Sequence, residues 1–249
     1  MSGGAARRVA GIVLAAGSST RMGANKLLLE LDGEAVVRRA ARTASAGGLD
    51  PVVVVTGHEH EAVTAQLHGL GVTAVNNAEH AKGTHTSVAA GVASVRGDCD
   101  AVVVVLADMP FVTPAMLREV VARYGVAGHN RSRPPPNSRP PLVVSRYGGD
   151  VTAPPILYDR ALFGELATMD SRCGRAVVRR HLDEAVLVDW PAEASRDLDR
   201  PEDYEGALEE LERVREGAGP AREELERADE PGGTRGGLGR TLEEATAHG

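Results

Sequence analysis

The sequence predicts an α/β protein with a three-layer α/β/α, Rossmann-like fold and a mostly parallel sheet. Three short apolar runs, residues 9–16, 51–55 and 101–106, are rich in β-branched residues and have the length of buried strands. Segments with helical spacing of apolar residues alternate with them, as in strand–helix–strand units. Because the strand segments are apolar throughout, we expect helices to cover both faces of the sheet.

The segment after the first strand, Gly17–Lys26, has the composition of an oxyanion-binding loop. Gly17 and Gly23 permit close backbone approach to a ligand. Arg21 offers a planar guanidinium and Lys26 a compact ammonium for phosphate oxygens. The spacing matches neither a Walker loop nor the Gly-x-Gly-x-x-Gly fingerprint. An ordinary strand-to-helix turn with a solvated Arg and Lys is the alternative for this stretch alone.

The alternation of strands and helices continues to residue 124. Helices are predicted at 34–46, 59–67, 87–95 and 114–124, and further strands at 51–55, 72–75 and 101–106. Gly17, Gly57 and Asp108 each follow a predicted strand. Ligands of parallel sheets gather at the carboxyl ends of the strands, so we expect these three residues to lie at one edge of the sheet.

The second half of the chain has weaker patterns. Residues 127–141 contain five prolines and three arginines and predict a mobile surface loop. Strands are predicted at 142–144, 155–158 and 185–188, and helices at 159–166, 174–181 and 201–215. The glycine-rich residues 217–249 predict a largely disordered tail with a transient helix near 221–228. The organisation predicted is therefore one domain, residues 1–216, followed by the tail.

Composition limits the classes of partner. The net charge is −7 and the pI is about 5.7, which argues against a general nucleic-acid or anionic-membrane surface. No apolar run approaches the length of a membrane span, and the start of the chain lacks the apolar segment of a signal peptide. Cys99 and Cys173 make neither a disulfide framework nor a metal site. We therefore expect a cytoplasmic protein without nucleic-acid or membrane partners.

Asp108 is the sharpest candidate for a metal ligand. It follows a fully apolar strand, where an unpaired carboxylate would be costly to bury. A divalent cation would relieve that cost, and Mg²⁺ prefers oxygen ligands. Asp197 or Asp199 could supply a second carboxylate. A turn or helix-capping role is the alternative for each of these three residues.

Four segments, taken together and in order, resemble one family. They read LAAGSSTRMG with KLLL (residues 14–29), KGTHTSVAAG (82–91), LADMPFVT (106–113) and DLDRPED (197–203). This combination is similar to the nucleotidyltransferase family that includes the molybdenum cofactor cytidylyltransferases and guanylyltransferases. The resemblance covers about residues 9–215, and Arg200 stands where the family has Thr.

The resemblance implies an α/β nucleotidyltransferase fold and a Mg²⁺-dependent transfer of a nucleoside monophosphate from an NTP, with release of pyrophosphate. It implies that Arg21, Lys26 and Asp108 are the catalytic residues, and that Asp108 and Asp197 (or Asp199) bind the metal. The implied nucleotide-binding residues are Leu14, Ala15, Ala16, Gly17, Ser18, Ser19, Arg21, Gly23, Lys26, Gly83 and Ser87.

The resemblance also suggests the base and the acceptor. Guanylyl members usually have Gly where this chain has Ala16, which favours CTP over GTP. The implied acceptor is a molybdopterin-type cofactor, and a molybdenum hydroxylase apoenzyme is an implied partner. Two segments, 152–155 and 169–174, depart from the family pattern where the acceptor would bind. A different phosphorylated acceptor (a sugar phosphate or phospholactate) and a non-catalytic cofactor carrier or chaperone therefore stay open.

Overall fold

The computed structural model describes residues 7–129, 142–168 and 175–228. The strands are β1 (Val9–Ala15), β2 (Glu30–Leu31), β3 (Glu34–Ala35), β4 (Val52–Thr56), β5 (Thr73–Asn76), β6 (Ala101–Leu106), β7 (Leu142–Tyr147), β8 (Val151–Asp159) and β9 (Val186–Trp190). The α-helices are α1 (Val36–Ala46), α2 (His60–Ala65), α3 (Thr84–Val95), α4 (Pro114–His129), α5 (Phe163–Ala167), α6 (Arg175–His181) and α7 (Pro201–Ala228). Within these ranges, short 3₁₀ turns at Lys26–Leu28, His80–Lys82, Arg160–Leu162, Leu182–Glu184 and Ala192–Ser195 complete the regular structure.

Seven strands form one mixed sheet in the order β5-β4-β1-β6-β8-β7-β9, and β2 and β3 form a separate antiparallel pair. The pairs β5–β4, β4–β1, β1–β6 and β7–β9 are parallel, whereas β8 runs antiparallel to β6 and β7. The predicted mostly parallel α/β sheet is therefore confirmed.

Helices cover both faces of this sheet. Alternate residues of β1, Ala10, Ile12 and Leu14, belong to a buried cluster with the apolar residues of α3, α5 and α6. The helices α1 and α4 pack against each other, and α1 also contacts β1 and β4. Every residue of β1 and β4 is buried, as expected for strands with helices on both sides.

Several predicted boundaries in the first half of the chain are wrong by a few residues. The helix α2 is shorter than the expected 59–67, and α3 begins at Thr84 rather than Ser87. The helix α4 continues to His129, into the segment predicted to be a loop from residue 127. The rest of that predicted loop, residues 130–141, lies outside the described residues.

The second half departs further from the prediction. The strand β8 has nine residues rather than the four expected at 155–158, because its first residues pair with the end of β7. The predicted helix 159–166 is confirmed in part, since residues 160–162 form a 3₁₀ turn and residues 163–167 form α5. Asp159 ends β8 and caps a 3₁₀ turn by accepting a hydrogen bond from Ala161 N, and α5 starts only at Phe163. A proline pair at 154–155 hides this strand from a propensity argument.

The helix α7 ends at Ala228, beyond the predicted end at Arg215. The chain divides into two units, Met1–Glu209, which holds the sheet, and Glu210–Gly249, of which the structure describes the helix to Ala228. The predicted domain limit at 216 and the predicted disorder of the tail stay predictions, and residues 229–249 lie outside the described part. Of the helices in the described ranges, none has both the length and the apolar character that a membrane span requires.

Candidate active site

The carboxyl ends of three adjacent parallel strands meet at one edge of the sheet. Gly17, Gly57 and Asp108 follow β1, β4 and β6 within two residues. Backbone hydrogen bonds continue past the strand ends, since Ala107 N donates to Leu14 O at 3.1 Å. The predicted convergence of the three strand ends is therefore confirmed, and it defines the floor of a candidate site.

The loop after β1 turns tightly, and its backbone is accessible from one side. Ser19 has a φ of +49° and Gly23 a φ of +71°. The hydroxyl of Ser19 accepts a hydrogen bond from Lys26 N at 3.2 Å, which closes the loop on itself. A Cβ on Gly17 would touch nothing within 4 Å, so this side of the loop is free to receive a ligand.

The end of the loop is a capped 3₁₀ turn that begins with Lys26. The side-chain oxygen of Asn25 accepts a hydrogen bond from Leu27 N at 3.1 Å, which satisfies a backbone donor at the start of the turn. Asn25 is buried, with 9% of its surface exposed. This cap fixes the backbone from which the Lys26 side chain extends.

The ammonium of Lys26 bridges two carboxylates. It lies 2.6 Å from Oδ2 of Asp108 and 2.9 Å from Oδ1 of Asp199. The other oxygen of Asp199 lies 2.8 Å from a guanidinium nitrogen of Arg21. The side chain of Lys26 is 10% exposed and that of Arg21 is 65% exposed. One cation is therefore held at the base of the site and the other at its mouth.

Asp197 and Asp199 are held near Asp108 by Leu198, the residue between them. Leu198 is buried, and its backbone N donates to the carbonyl of Asp108 at 3.0 Å. This bond docks the segment before α7 on the end of β6 and leaves one aspartate on each side of it. The two aspartates thus have different surroundings, since Asp199 is paired with Lys26 and Arg21, whereas Asp197 is exposed.

The pKa values reflect this charge arrangement. Burial lowers the pKa of Lys26, but the attraction and hydrogen bonds of Asp108 and Asp199 outweigh it, so the pKa is raised. The hydrogen bond from Lys26, aided by Arg21, lowers the pKa of Asp199. The pKa of Asp197 is raised, first because nearby protein removes part of its hydration and then because Asp199 and Asp108 repel its charge. The attraction of Lys26 does not outweigh these effects, so Asp197 lies in a net negative environment.

The donor set fits a hard divalent cation. Asp108, Asp197 and Asp199 offer carboxylate oxygens, and the repulsion on Asp197 is what a bound cation would relieve. Among the described residues, no three His, Cys, Asp or Glu side chains converge closely enough to hold a metal by themselves. Mg²⁺ typically uses one or two carboxylates together with substrate phosphates and water, and this arrangement suits that mode.

The remaining predicted nucleotide-binding residues are divided between the open edge and the interior. Leu14, Ala15 and Ala16 are buried at the end of β1, while Gly17 and Ser18 are exposed. Gly83 precedes α3 with a φ of +122°. Ser87 is only 3% exposed.

Ser87, although predicted to approach the base, is already engaged by a residue that the sequence reasoning did not select. Its hydroxyl accepts a hydrogen bond from Asn77 Nδ2 at 2.9 Å, and the same amide donates to Thr86. Asn77 directly follows β5, so the strand-end rule that selected Asp108 would have found it. Asn25 and Glu59, hydrogen-bonded to each other at 2.8 Å, were also missed, and no local motif marks them.

A glycine-containing loop, a lysine and an aspartate at the carboxyl edge of an α/β sheet are typical of nucleotide-binding proteins. Residues 11–186 match the MobA-like NTP transferase domain. The chain therefore belongs to the MobA-like NTP transferase family.

Two kinds of curated relative have different extents of match. The purine catabolism protein PucB of Bacillus subtilis is 32% identical over 208 residues, which are 78% of this chain and 93% of that protein. The bifunctional protein GlmU of Geobacter metallireducens is 30% identical over 122 residues, which are 48% of this chain and 26% of GlmU. The chain thus spans about a quarter of the length of the GlmU proteins that it matches.

Solved structures agree with the fold. The crystal structure of Rv0371c from Mycobacterium tuberculosis H37Rv matches with a TM-score of 0.66 and 28% identity, and covers 81% of this chain and 98% of that one. A structure of Rv0371c in complex with manganese matches with a TM-score of 0.62, 25% identity, and coverage of 81% and 98%. The α/β nucleotidyltransferase fold is therefore shown for this chain.

Proposed function

We propose that this protein transfers a cytidylyl group from CTP to the terminal phosphate of a molybdopterin-type cofactor and releases pyrophosphate. The observation that supports this most is the contact of Lys26 with Asp108 and Asp199 at the base of the site. A held cation beside paired carboxylates suits a triphosphate and its metal, and a family of NTP transferases supplies the reaction class.

The chemistry needs positioning more than acid–base groups. A phosphate monoester is already anionic, so it attacks the α-phosphorus in line without a general base. The O–P bond to the acceptor forms as the bond to the β-phosphate oxygen breaks, and pyrophosphate leaves with the electron pair. Arg21 and Lys26 stabilise the charge on the β- and γ-phosphates, and the loop backbone from Gly17 to Gly23 orients them.

Lys26 changes partners in this scheme. In the described geometry its ammonium is engaged by Asp108 and Asp199. A triphosphate in the loop offers it competing oxygens, so Lys26 is shared between the carboxylates and the nucleotide. Asp108 with Asp197 or Asp199 would hold Mg²⁺, whose charge neutralises phosphate oxygens when it is bound. The manganese complex of Rv0371c supports a divalent metal in a related protein.

Ala16 supports the choice of CTP. It lies at the end of β1, is 8% exposed, and its carbonyl accepts a hydrogen bond from His58 N. In the family that the sequence resembles, the members that transfer a guanylyl group usually have glycine at the position of Ala16. A methyl group at the edge of a base pocket changes discrimination by roughly 10- to 200-fold, so Ala16 is sufficient for a preference rather than an absolute choice.

The choice of a molybdopterin-type acceptor is supported by the family resemblance alone. The second candidate function is nucleotidyl transfer to another phosphorylated acceptor. The departure at residues 152–155, which form part of β8, favours it, because the resemblance implies that the acceptor binds at this segment. The other departure, 169–174, lies outside the described residues. The match with PucB, which is named for purine catabolism, extends along most of the chain. A non-catalytic carrier that acts with a molybdenum hydroxylase has no need of the Lys26–Asp108 pair.

The test is release of pyrophosphate from each of four NTPs, with Mg²⁺ and with molybdopterin, a sugar phosphate or phospholactate as acceptor. We expect release with CTP and molybdopterin, and none in the Asp108→Asn variant, whose Tm is measured to check that it folds. Release with a different acceptor supports the second candidate. No release with any pair, together with tight binding of molybdenum cofactor, contradicts the enzyme and supports the carrier.

A further inference from the structure

Glu59 has a backbone conformation that side chains rarely adopt. It lies between β4 and α2 with φ of 50° and ψ of 42°, in the left-handed region that is costly for residues with a Cβ. Residues held in this way are over-represented at functional sites, where the surrounding structure enforces them. Glu59 is outside the four segments that resemble the family, so its conformation calls for a separate explanation.

The carboxylate of Glu59 orients the amide of Asn25. Its Oε2 accepts a hydrogen bond from Asn25 Nδ2 at 2.8 Å. The amino group of Asn25 therefore faces Glu59, and its oxygen faces Leu27 N, from which it accepts a hydrogen bond at 3.1 Å. Because an amide has donors at one end and an acceptor at the other, the carboxylate fixes the orientation that caps the turn.

The capped turn begins with Lys26, the cation at the base of the site. The backbone N of Lys26 donates to Ser19 in the loop, and its ammonium lies 2.6 Å from Asp108. A second tie connects the same two segments, since His58 N donates to Ala16 O at 3.4 Å. The connection after β4 is thus attached to both ends of the loop after β1.

We propose that Glu59 is a positioning residue that acts through Asn25 to hold Lys26 for the nucleotide. This inference rests on the proposed function, because it assigns a task to the same loop. Glu59 touches no reacting group in this scheme. Its side chain is 46% exposed, so its charge alone would repel a triphosphate. Positioning and repulsion therefore predict opposite effects of removing the carboxylate.

The experiment compares four variants for CTP affinity in the presence of Mg²⁺, for KM and kcat, and for Tm. Glu59→Ala removes the carboxylate, and Glu59→Gly removes it while also relieving the positive φ. Glu59→Gln keeps an oxygen that can accept the bond from Asn25. Glu61→Ala is the matched control, since Glu61 is an exposed carboxylate on α2.

We expect Glu59→Ala and Glu59→Gly to weaken CTP binding by about three- to tenfold, the effect of losing a hydrogen bond to a charged group that is partly exposed. KM should rise in proportion, and kcat should fall by a smaller factor, because Lys26 both binds the phosphates and stabilises their charge in the transition state. Glu59→Gly should have a higher Tm than Glu59→Ala, because glycine relieves the positive φ. Since both variants should lose affinity for CTP equally, the loss would not be explained by a difference in stability. Glu59→Gln and Glu61→Ala should bind CTP within about twofold of the wild type.

A double variant tests the route through Asn25. Asn25→Ala removes both the bond to Glu59 and the cap on Leu27 N, so it should weaken CTP binding at least as much as Glu59→Ala does. Asn25→Ala combined with Glu59→Ala should weaken it no further than Asn25→Ala alone, because the amide through which Glu59 acts is already absent. The positioning role is overturned if Glu59→Ala and Glu59→Gly bind CTP as tightly as the wild type or more tightly, or if the losses in the double variant are additive. The proposed function survives that result as long as the wild type turns over NTP. A wild type that binds no NTP overturns both.

Discussion

The ammonium of Lys26 lies 2.6 Å from Oδ2 of Asp108, and only 10% of the Lys26 side chain is exposed. This contact joins the loop after β1 to the end of β6 across adjacent parallel strands. It brings the candidate triphosphate-binding and metal-binding groups into one place.

Lys26→Met should reduce nucleotidyl transfer by about 10²-fold or more, the usual effect of losing a group that stabilises transition-state charge. The variant also leaves Asp108 and Asp199 facing each other without their shared cation. Initial rates of pyrophosphate release measure the effect. Arg123→Met, which removes an exposed cation on α4, is the control and should keep wild-type rates. A Lys26→Met protein with more than half of the wild-type rate would exclude a catalytic role.

Ala16→Gly should reduce the preference for CTP over GTP by about tenfold, since the change removes one methyl group from a buried position at the strand end. The ratio of kcat/KM for the two nucleotides measures the preference. Ala24→Gly, an exposed alanine in the same loop, controls for added backbone freedom. If the two variants change the ratio equally, Ala16 does not read the base.

Gly91→Ala should lower the free energy of unfolding by about 1–3 kcal/mol through overpacking. A Cβ at Gly91 would lie 2.5 Å from Cγ2 of Ile12 and 3.1 Å from Val55, so α3 would have to move away from the sheet. Urea unfolding measures the loss. At Gly97, beyond the end of α3, a Cβ meets nothing within 4 Å, and Gly97→Ala should leave stability unchanged. Equal effects at both positions would contradict this packing.

Glu34 should make stability depend on pH. Its hydrogen bonds from Arg42, one of them 2.7 Å long, lower the pKa of Glu34. A carboxyl whose pKa is lowered in the folded state stabilises that state above its unfolded pKa of about 4.3, and the contribution is lost as pH falls through the folded value.

Glu34→Gln should therefore cost about 0.5–1 kcal/mol at pH 7, and the difference from wild type should narrow as pH falls below about 4. Urea unfolding at a series of pH values measures the difference. Glu119→Gln, which breaks the more exposed pair with Arg123, should cost less at pH 7. A difference for Glu34→Gln that stays constant down to acid pH would show that the ion pair is not its source.

Strand ends could be predicted from the sequence because buried parallel strands are apolar runs, and each run stops at a marked residue. This logic located Gly17, Gly57 and Asp108 at one edge. It could not give the contact between Lys26 and Asp199, which are 173 residues apart, because that contact depends on Leu198 docking on the carbonyl of Asp108.

Contacts that depend on how side chains are oriented in the folded protein could also not be predicted from the sequence. Nothing in the local pattern shows that Glu59 adopts a positive φ or that its carboxylate meets Asn25. The strand β8 was underestimated because two prolines lower the propensity of a segment that the neighbouring strand nevertheless pairs with. Tertiary pairing overrode local preference there.

We propose that the loop after β1 and Asp108 form one nucleotide–metal site. Thermal unfolding with CTP or GTP, each with and without Mg²⁺, tests it most directly, because a ligand that binds only the folded state raises Tm. We predict that CTP with Mg²⁺ raises the Tm of the wild type more than GTP does, and that neither raises the Tm of Asp108→Asn. No shift in the wild type with any nucleotide, or an equal shift in Asp108→Asn, would contradict the claim.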